Sequence, residues 1–342
     1  SGLMKISPST VLAHHPDRAG SVPDLFQQVI QQAELAEELG YHTFYVAEHH
    51  FHEYGACPNP AVLLSAVAQR TKRIRLGTAI AALTFRNPIE VAESYALVDV
   101  LSGGRLELGL GSGYLAHEFA GFNIDPAQKR ERFDENFYVL SRLLTGEKVS
   151  FQGRWNKLSS LAINVVPIQR PVPIAIATLR PEGAYEIGER GQNMLCVPYA
   201  SVGRFEDIER LVAQHHKGLR KKGRKDVAGA TGVTLHTYVA ATDEKAKEEA
   251  AEAFDLYVAT RLYARRQTYD DVIKSGLALF GSVETVIEKM LKLAEWGVDH
   301  VIALADFGLL PFDRVERSMR LFAREVLPRV EQRLAERAST GA

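Results

Sequence analysis

The sequence contains little cysteine. Only Cys57 and Cys196 occur among its 342 residues, and they lie far apart. This excludes the disulfide framework of a small secreted domain, and no cysteine–histidine spacing typical of a zinc site is present. Residues 1–5 also lack the basic-then-apolar pattern of a secretory signal. We therefore expect a protein of a reducing compartment, the cytoplasm.

Long apolar runs and an excess of charge of one sign are also missing. No apolar stretch approaches the roughly 18 residues that a membrane span needs. The formal net charge is −1, whereas a nucleic-acid-binding protein usually presents a basic face. The dense basic run at 220–225 follows a helical pattern and predicts a solvated helix end. We expect neither a membrane nor a nucleic acid as partner.

Alternating strand and helix patterns fill the chain instead. Strands are predicted at 4–13, 42–46, 74–80, 105–110, 173–177, 194–197, 233–241 and 298–304. Helices are predicted at 23–40, 60–70, 88–101, 129–145, 181–190 and 204–222, from Asp243, from Ser282, and before Pro328. Eight strand–helix units predict an α/β fold of the (β/α)8 TIM-barrel type, with a doubly wound open sheet as the alternative.

No change in composition marks a domain boundary, so we expect one domain over residues 1–342. Two stretches, about 115–165 and 259–281, exceed a minimal barrel. The first contains a predicted helix and a hairpin around Gly153. Insertions at the strand mouths often cover an active site, and we expect the second stretch to form a lid.

An acidic residue and two histidines follow the predicted strand 42–46. The carboxyl ends of barrel strands carry catalytic residues, so Glu48, His49 and His50 are candidates for acid–base chemistry. A metal site formed with His52 is disfavoured, because adjacent side chains on an extended backbone point in opposite directions. The remaining alternative is a set of surface histidines.

Three further strand ends could contact a ligand. Glycines over 109–113 would let a ligand approach the backbone, although the spacing is not the Rossmann fingerprint and a plain turn is the alternative. The stretch 178–184 could bind phosphate through free N–H groups, with Glu182 pointing away to cap an ordinary helix. Small residues over 77–82 could line a flat aromatic ligand or pack a strand. His14 and His15 could reach the mouth, whereas His215 and His216 are expected on the surface.

The order of these motifs resembles the bacterial luciferase-like superfamily of flavin-dependent monooxygenases. The matching segments are 47–51, Asn59-Pro60, 74–78, Asn87-Pro88, Ala92-Glu93, 99–106, 109–113, Glu118-Phe119, Gly121-Phe122, 132–135, 280–282 and 297–300. The resemblance covers nearly the whole chain and implies a TIM barrel with insertions.

The resemblance also implies an activity and its partners. It implies that reduced FMN, supplied by a separate flavin reductase, forms a flavin C4a-peroxide with O2 that oxygenates a small organic substrate. The Glu-His-His-Phe form is more similar to the FMN-dependent branch than to the branch that uses the deazaflavin F420. An F420-dependent oxidoreductase or a non-catalytic flavin-binding accessory protein are the alternatives. Pairing of helices near the second and third strands would make a homodimer.

Residue roles carried over from the family are expectations. His49 matches the catalytic histidine and Glu48 a residue near the flavin edge. Ala79 and Ile80 match a pair joined by a non-proline cis peptide beneath the flavin ring. The expected cofactor contacts are Ala79, Ile80, Gly111, Ser112, Gly113, Thr178, Leu179, Arg180, Glu182 and Gly183. The expected substrate contacts are Phe51, Tyr114, His117 and Phe307. Luciferase carries cysteine and arginine where this chain has Gly111 and Ser112, so the aldehyde reaction and light emission are not implied.

Overall fold

A closed barrel of parallel strands forms the centre of the protein. The computed structural model describes residues 4–15, 20–52, 54–261 and 266–341. The strands are β1 (Lys5–Thr10), β2 (Thr43–Val46), β3 (Arg75–Thr78), β4 (Ala81–Ala82), β5 (Leu106–Gly111), β6 (Val149–Gln152), β7 (Lys157–Leu161), β8 (Ile174–Thr178), β9 (Asn193–Cys196), β10 (Thr231–Ala240), β11 (Leu279–Ser282) and β12 (His300–Asp306).

Eight of these strands close the barrel in the order β1, β2, β3, β5, β8, β9, β10 and β12. Closure follows because β1 pairs with both β2 and β12, for example Ser9 with Tyr45 and Lys5 with His300. All eight are strands predicted from the sequence, and the closed TIM barrel is confirmed over the open sheet. Because the strands are parallel, their carboxyl ends meet at one rim.

Helices surround the barrel. They are α1 (Val22–Glu38), α2 (Pro60–Arg70), α3 (Pro88–Leu101), α4 (Ala116–Gly121), α5 (Lys129–Leu143), α6 (Gly183–Glu189), α7 (Pro198–Ser201), α8 (Asp207–Lys222), α9 (Asp243–Thr260), α10 (Tyr269–Ser275), α11 (Val283–Glu295), α12 (Phe312–Leu321) and α13 (Leu327–Gly341). Short 3-10 turns lie at Leu83–Phe85 and Pro126–Gln128, and a π-helical turn lies at Phe322–Val326.

Two predicted helix starts are confirmed by their caps. The Asn87 side chain accepts a hydrogen bond from the Ile89 N–H at 2.9 Å. The Ser282 hydroxyl accepts one from the Thr285 N–H at 3.1 Å. Each bond satisfies an N–H group that the helix itself leaves without a partner. Helix α3 therefore begins with Pro88 at its first position, as predicted.

The strands that sequence patterns missed are short and lie off the main barrel. β4 has two residues and pairs with β5, while β11 pairs with the carboxyl end of β10. The helices α4, α7 and α10 have six, four and seven residues, too few to show a helical period. The helix expected from 181 starts at Gly183.

The first insertion carries the helix and hairpin predicted for it. Strands β6 and β7 pair antiparallel beyond α5. The Glu135 carboxylate accepts hydrogen bonds from the backbone N–H groups of Arg154, Trp155 and Asn156 at 2.8–2.9 Å. These bonds fasten the hairpin to α5. Phe133 and Phe137, on the same helix, line the cavity at the barrel mouth.

His215 and His216 are buried, so their predicted surface position is wrong. His215 is fully buried, donates from Nε2 to the Gln192 carbonyl at 2.8 Å and contacts the Thr231 hydroxyl at 2.7 Å. The reason is the close approach of α6 and α8, where a Cβ on Gly188 would overlap the backbone of α8. The basic run beyond is exposed and α8 ends there at Lys222, as predicted.

The second insertion is partly packed into the protein. Tyr269 of α10 is buried and stacks on Phe280 with ring centroids 4.7 Å apart. Arg261 lies at the end of α9, and residues 262–265 lie outside the described residues. Through this ring, the described part from Tyr269 onward packs against the barrel. The lid and the single-domain boundaries stay predictions.

Candidate active site

A cavity of about 540 Å³ opens at the carboxyl rim of the barrel. This volume is within the usual range for small-molecule sites. Most of the residues predicted from the sequence line it, namely Glu48, His49, Ala79, Ile80, Gly111, Ser112, Gly113, Tyr114, Thr178, Leu179, Arg180 and Gly183. The barrel thus brings strand ends from distant parts of the chain to one cavity.

His49 is fixed by its backbone and by the packing of its ring. Its N–H donates to the Cys57 carbonyl at 3.0 Å. A Cβ on Gly55 would lie 2.7 Å from the His49 Cδ2 atom, so the absence of a side chain there makes room for the imidazole. The side chain is buried, and the sequence Glu48-His49-His50 turns inward at the end of β2 rather than onto the surface.

Both ring nitrogens of His49 have partners. Nδ1 lies 3.4 Å from the Glu118 Oε2 atom, and the Arg261 Nη2 group donates to Nε2 at 3.2 Å. Burial lowers the pKa of His49, Arg261 adds to this effect, and Glu118 and Glu48 oppose it. His49 is therefore neutral at pH 7.

Glu118 supports the histidine from α4. It is buried, and its Oε2 atom also accepts from the His50 N–H at 2.7 Å. Burial by itself would raise the pKa of this carboxyl, but the hydrogen bonds from His49 and His50 outweigh burial and hold the pKa below its usual value. Glu118 is therefore a carboxylate at pH 7. The Glu118-Phe119 segment is part of the family resemblance, but the sequence did not predict that Glu118 contacts His49.

Glu48 lies in a buried polar network at the edge of the cavity floor. Its Oε2 atom accepts from the His50 Nε2 group at 2.5 Å and from the Arg86 Nε group at 3.1 Å. Its Oε1 atom accepts from the Ala82 N–H at 3.2 Å, and its own N–H donates to the Ile80 carbonyl at 3.1 Å. Both carboxylate oxygens are occupied, so the geometry makes Glu48 a clamp on the backbone around 80–82.

The floor of the cavity is built from small groups. The non-proline cis peptide that the resemblance implies is present between Ala79 and Ile80. The Thr78 hydroxyl donates to the Gly109 carbonyl at 2.7 Å and accepts from the Gly109 N–H at 3.0 Å, which joins β3 to β5. A Cβ on Gly111 would lie 2.6 Å from the Ile80 Cδ1 atom. Glycine therefore keeps this floor open and flat.

The turn after β8 forms the opposite end of the cavity. The Thr178 hydroxyl accepts from the Arg180 N–H at 3.1 Å, and the Ser201 hydroxyl donates to the Leu179 carbonyl at 3.1 Å. A Cβ on Gly183 would overlap the Thr178 hydroxyl, so the turn needs glycine at this position. Glu182 is exposed, lies off the cavity wall and makes no capping hydrogen bond, so its predicted cap is wrong.

Cationic side chains gather at this end. Lys129, Arg130, Arg180 and Arg190 all line the cavity. Arg130 pairs with Glu186 at 3.2 Å and Arg190 with Asp134 at 3.4 Å. The sequence did not predict Lys129, Arg130 and Arg190 as cavity residues, because only the packing of α5 and α6 brings them to the barrel mouth. The signal available was the basic pair Lys129-Arg130 at the start of the inserted helix.

Tyr114 is the one predicted substrate residue on the cavity wall, where its hydroxyl accepts from the Arg261 Nη2 group at 3.2 Å. Phe51 is 62% exposed and contacts Phe122 with ring centroids 5.2 Å apart. The His117 Nε2 group donates to the His50 carbonyl at 3.1 Å.

Phe307 is fully buried in an aromatic cluster, with its ring centroid 5.5 Å from that of Phe254. Phe51, His117 and Phe307 do not line the cavity. Packing turns these rings into the rim or the core, and their contact with substrate stays a prediction. Arg261 and Tyr257 line the cavity instead. The arginines from position 261 onward were the only signal in the sequence for Arg261, and Tyr257 had none.

No group of three histidine, cysteine or carboxylate side chains is arranged to hold a metal ion among the described residues. His50 bonds to Glu48, and the His52 ring stacks on His117 at 5.2 Å, so the neighbouring histidines serve other contacts. Among all the residues that the structure describes, no helix has the length and apolar character that crossing a bilayer requires.

Comparison with known proteins identifies the family. A family model described as luciferase-like monooxygenase matches residues 7–300. The chain belongs to the luciferase-like monooxygenase family. The crystal structure of the monooxygenase RslO1 from Streptomyces bottropensis has a TM-score of 0.87 at 29% identity, covering 95% of this chain and 99% of that one. This luciferase-like chain thus shares the barrel of a known monooxygenase.

Relatives within the family differ in their named cofactors. Limonene 1,2-monooxygenase of Rhodococcus erythropolis is 30% identical, covering 78% of this chain and 72% of that one. The oxygenase component of a flavin-dependent trigonelline monooxygenase from Acinetobacter baylyi is 24% identical, covering 89% of each. An F420-dependent glucose-6-phosphate dehydrogenase of Amycolatopsis mediterranei is 34% identical, covering 50% and 53%. The family therefore includes both monooxygenases and F420-dependent dehydrogenases.

Proposed function

We propose that the protein is the oxygenase component of a two-component monooxygenase, which uses reduced FMN and O2 to oxygenate a small organic substrate. The observation that carries this proposal is the buried His49 on the wall of a cavity with a flat floor and a cationic far end. The flavin-dependent oxygenase component among its relatives supports it.

The residues fit FMN by shape and charge. The floor at Ala79, Ile80 and Gly111 offers a flat apolar surface for a ring system. The cationic end at Arg180 and Lys129, with the turn at Thr178, suits a dianionic phosphate. A cavity with one flat apolar end and one cationic end matches a molecule with an aromatic ring and a phosphate tail.

Reduced flavin, when bound, supplies the electrons that activate O2. The chain supplies a site for proton transfer inside a partly enclosed cavity. His49 is neutral, buried and within reach of the cavity, as a general acid–base residue should be. Glu118 orients the imidazole through Nδ1, and the Glu48 clamp holds the floor in place. Burial of these groups strengthens their electrostatic effect on the reacting atoms.

An F420-dependent oxidoreductase is the second candidate, because relatives with that cofactor share the family. Anaerobic titration with reduced FMN and with F420 separates the two proposals. Tighter binding of reduced FMN, followed by O2-dependent flavin oxidation, is expected for the monooxygenase. Preferential binding of F420 and hydride transfer without O2 would overturn the first proposal in favour of the second.

The central variant is His49→Ala, with His14→Ala as a control that removes an imidazole off the cavity wall. We expect His49→Ala to bind reduced FMN with less than a threefold change and to lose at least a hundredfold in substrate oxygenation, the usual range for acid–base groups. The control should match the wild type in both assays. Full oxygenation by His49→Ala would remove the catalytic assignment.

We further propose a homodimer formed through α2 and α3. Four apolar side chains are exposed on these helices: Val62 at 68%, Leu97 at 45%, Val100 at 39% and Leu101 at 48%. Leu97, Val100 and Leu101 lie together in the last turn of α3, and exposed apolar groups gathered in one place commonly mark protein interfaces. Light scattering should give twice the monomer mass, and Leu97→Asp with Leu101→Asp should give the monomer. A monomeric wild type would contradict this proposal.

A further inference from the structure

The two ring nitrogens of His49 are contacted by side chains of opposite charge. Glu118 on α4 faces Nδ1 at 3.4 Å, and Arg261 at the end of α9 faces Nε2 at 3.2 Å. A guanidinium group has only donors, and a carboxylate has only acceptors. Nε2 must therefore accept the hydrogen bond from Arg261, which leaves the single proton of a neutral ring on Nδ1, directed at Glu118.

Arg261 is itself held in place. It is 8% exposed, and its backbone N–H donates to the Tyr257 carbonyl at 3.0 Å. Its guanidinium carbon lies 5.3 Å from the centroid of the Tyr257 ring, and its Nη2 group also donates to the Tyr114 hydroxyl. Contacts on α9 and after β5 thus fix the donor that faces His49.

The charged groups around His49 act in opposite directions. Glu118 and Glu48 favour the imidazolium form, whereas Arg261 and burial disfavour it. An imidazolium ring would place an Nε2–H group against the Nη2 group of Arg261, donor against donor. The position of Arg261 therefore opposes protonation at Nε2 by both charge and hydrogen-bond geometry.

We infer that Arg261 is a positioning residue that keeps His49 in the neutral Nδ1–H tautomer, so that His49 enters the reaction as a proton acceptor through Nε2. This inference rests on the proposed function only for its catalytic consequence. During turnover, a proton donor on the substrate replaces Arg261 at the Nε2 lone pair. The substrate bond to hydrogen breaks, the N–H bond forms on Nε2, and the resulting imidazolium is stabilised by Glu118.

The tautomer can be measured on the flavin-free wild type. Two-bond ¹H–¹⁵N correlation spectra of protein labelled on histidine distinguish the two neutral tautomers and the imidazolium, and His49→Gln assigns the signal. We expect the Nδ1–H pattern for His49 at pH 7.5. The Nε2–H pattern or an imidazolium would overturn the inference, whatever the cofactor is, and no variant of Arg261 needs to fold for this result.

Variants then test Arg261 directly. Arg261→Met should raise the pKa of His49 by about one unit or more, a tenfold or greater rise in proton affinity, because a cation at hydrogen-bond distance is lost. Glu118→Gln should lower it, and Arg261→Lys should restore most of the wild-type value. Arg70→Met, an exposed arginine paired with Glu34, should leave it unchanged. An unchanged His49 titration in Arg261→Met would overturn the inference.

The pH profile of turnover separates this inference from the proposed function. If His49 must be deprotonated to act, the acidic limb of FMN-dependent substrate oxygenation moves to higher pH in Arg261→Met and returns in Arg261→Lys. A shifted titration with no FMN-dependent oxygenation in the wild type would leave the positioning role intact and reject the monooxygenase. An oxygenating wild type with an unshifted acidic limb in Arg261→Met would reject the proton-acceptor role alone.

Discussion

Glu48 is a single residue that joins several parts of the cavity floor. Its side chain is buried and accepts from His50, Arg86 and the Ala82 N–H. Its neighbour His49 faces the cavity with its ring held by Glu118. Both residues line the cavity, but the His49 ring bonds to side chains whereas the Glu48 carboxylate also bonds to the backbone of the floor.

Glu48→Gln is expected to lower the free energy of unfolding by about 3 kcal/mol, because a buried carboxylate that accepts hydrogen bonds from His50, Arg86 and the Ala82 N–H is lost. The matched control is Glu34→Gln, which breaks a pair with Arg70 on the surface and should cost under about 1 kcal/mol. Urea unfolding of both variants measures the difference. Equal losses in the two variants would show that the Glu48 network contributes no more than a surface pair.

One side chain, that of Arg105, stabilises the turn before β5. Arg105 is buried and donates to five acceptors: the carbonyls of Ala68, Thr71, Ile74 and Ser102, and the Thr71 hydroxyl. These acceptors lie at the end of α2, before β3 and after α3. Arg105 therefore joins two strand–helix units by satisfying carbonyls that the helices leave without partners.

Arg105→Met should lower the free energy of unfolding by about 3 kcal/mol or more, since several buried carbonyls lose their donor. Arg105→Lys should fall between Met and the wild type, because one ammonium group cannot reach all five acceptors. Thermal and urea unfolding measure the series, with Arg70→Met as the exposed control. A Lys variant as stable as the wild type would contradict the role of the planar guanidinium.

The turn after β8 depends on glycine at position 183. Gly183→Ala would place a methyl group against the Thr178 hydroxyl, so the backbone or the side chain must shift. We expect FMN affinity to fall about tenfold or more, because displaced groups no longer face the phosphate together. Fluorescence titration with FMN measures this. Gly146→Ala, at a glycine outside the cavity lining, controls for general loss of stability and should retain affinity.

Across the whole molecule, several histidines are buried in the neutral form. Burial lowers the pKa of His236 and of His300 to about 3, and that of His215 to about 4. Their ordinary value is 6.5, so below pH 6.5 the unfolded chain binds protons that the folded protein does not. Stability conferred by neutral burial is complete above pH 6.5 and falls as the pH drops toward 4.

Asp306 opposes this trend. Burial raises its pKa from 3.8 to about 6, so its contribution is lost as pH rises between those values. Each buried histidine adds up to about 1.4 kcal/mol per pH unit, and three of them outweigh one carboxyl. Urea unfolding at pH values from 7.5 to 4.5 should therefore show a loss of stability that begins near pH 6.5 and continues to pH 4.5. A free energy of unfolding that rises as pH falls from 6.5 would contradict it.

His236→Phe tests this account at one position. The His236 ring is buried among Tyr199, Phe254 and Tyr257, and neither ring nitrogen has a hydrogen-bond partner among the residues that the structure describes. Phenylalanine should fit this aromatic cluster and reduce the slope of stability against pH by up to about 1.4 kcal/mol per unit. An unchanged slope would show that His236 does not titrate differently in the two states.

The sequence by itself determined the eight strand–helix units and their order along the chain, whereas the closure of the sheet into a barrel was decided by the structure. Eight apolar runs, each followed by a helical period, are local patterns that short-range forces fix, and so are the Asn87 and Ser282 caps. It also placed Glu48, His49, Gly111 and Thr178 at strand ends, because parallel strands bring their carboxyl ends to one rim.

Only the tertiary structure decided which side chains meet there. Arg261 lies 212 residues after His49 in the chain, and no period or spacing relates the two. The same holds for the cations of α5 beside the turn after β8, and for Phe307, which packing turned into the core. Sequence patterns record the local folding of each unit, whereas contacts between units depend on how the barrel closes and how helices pack around it.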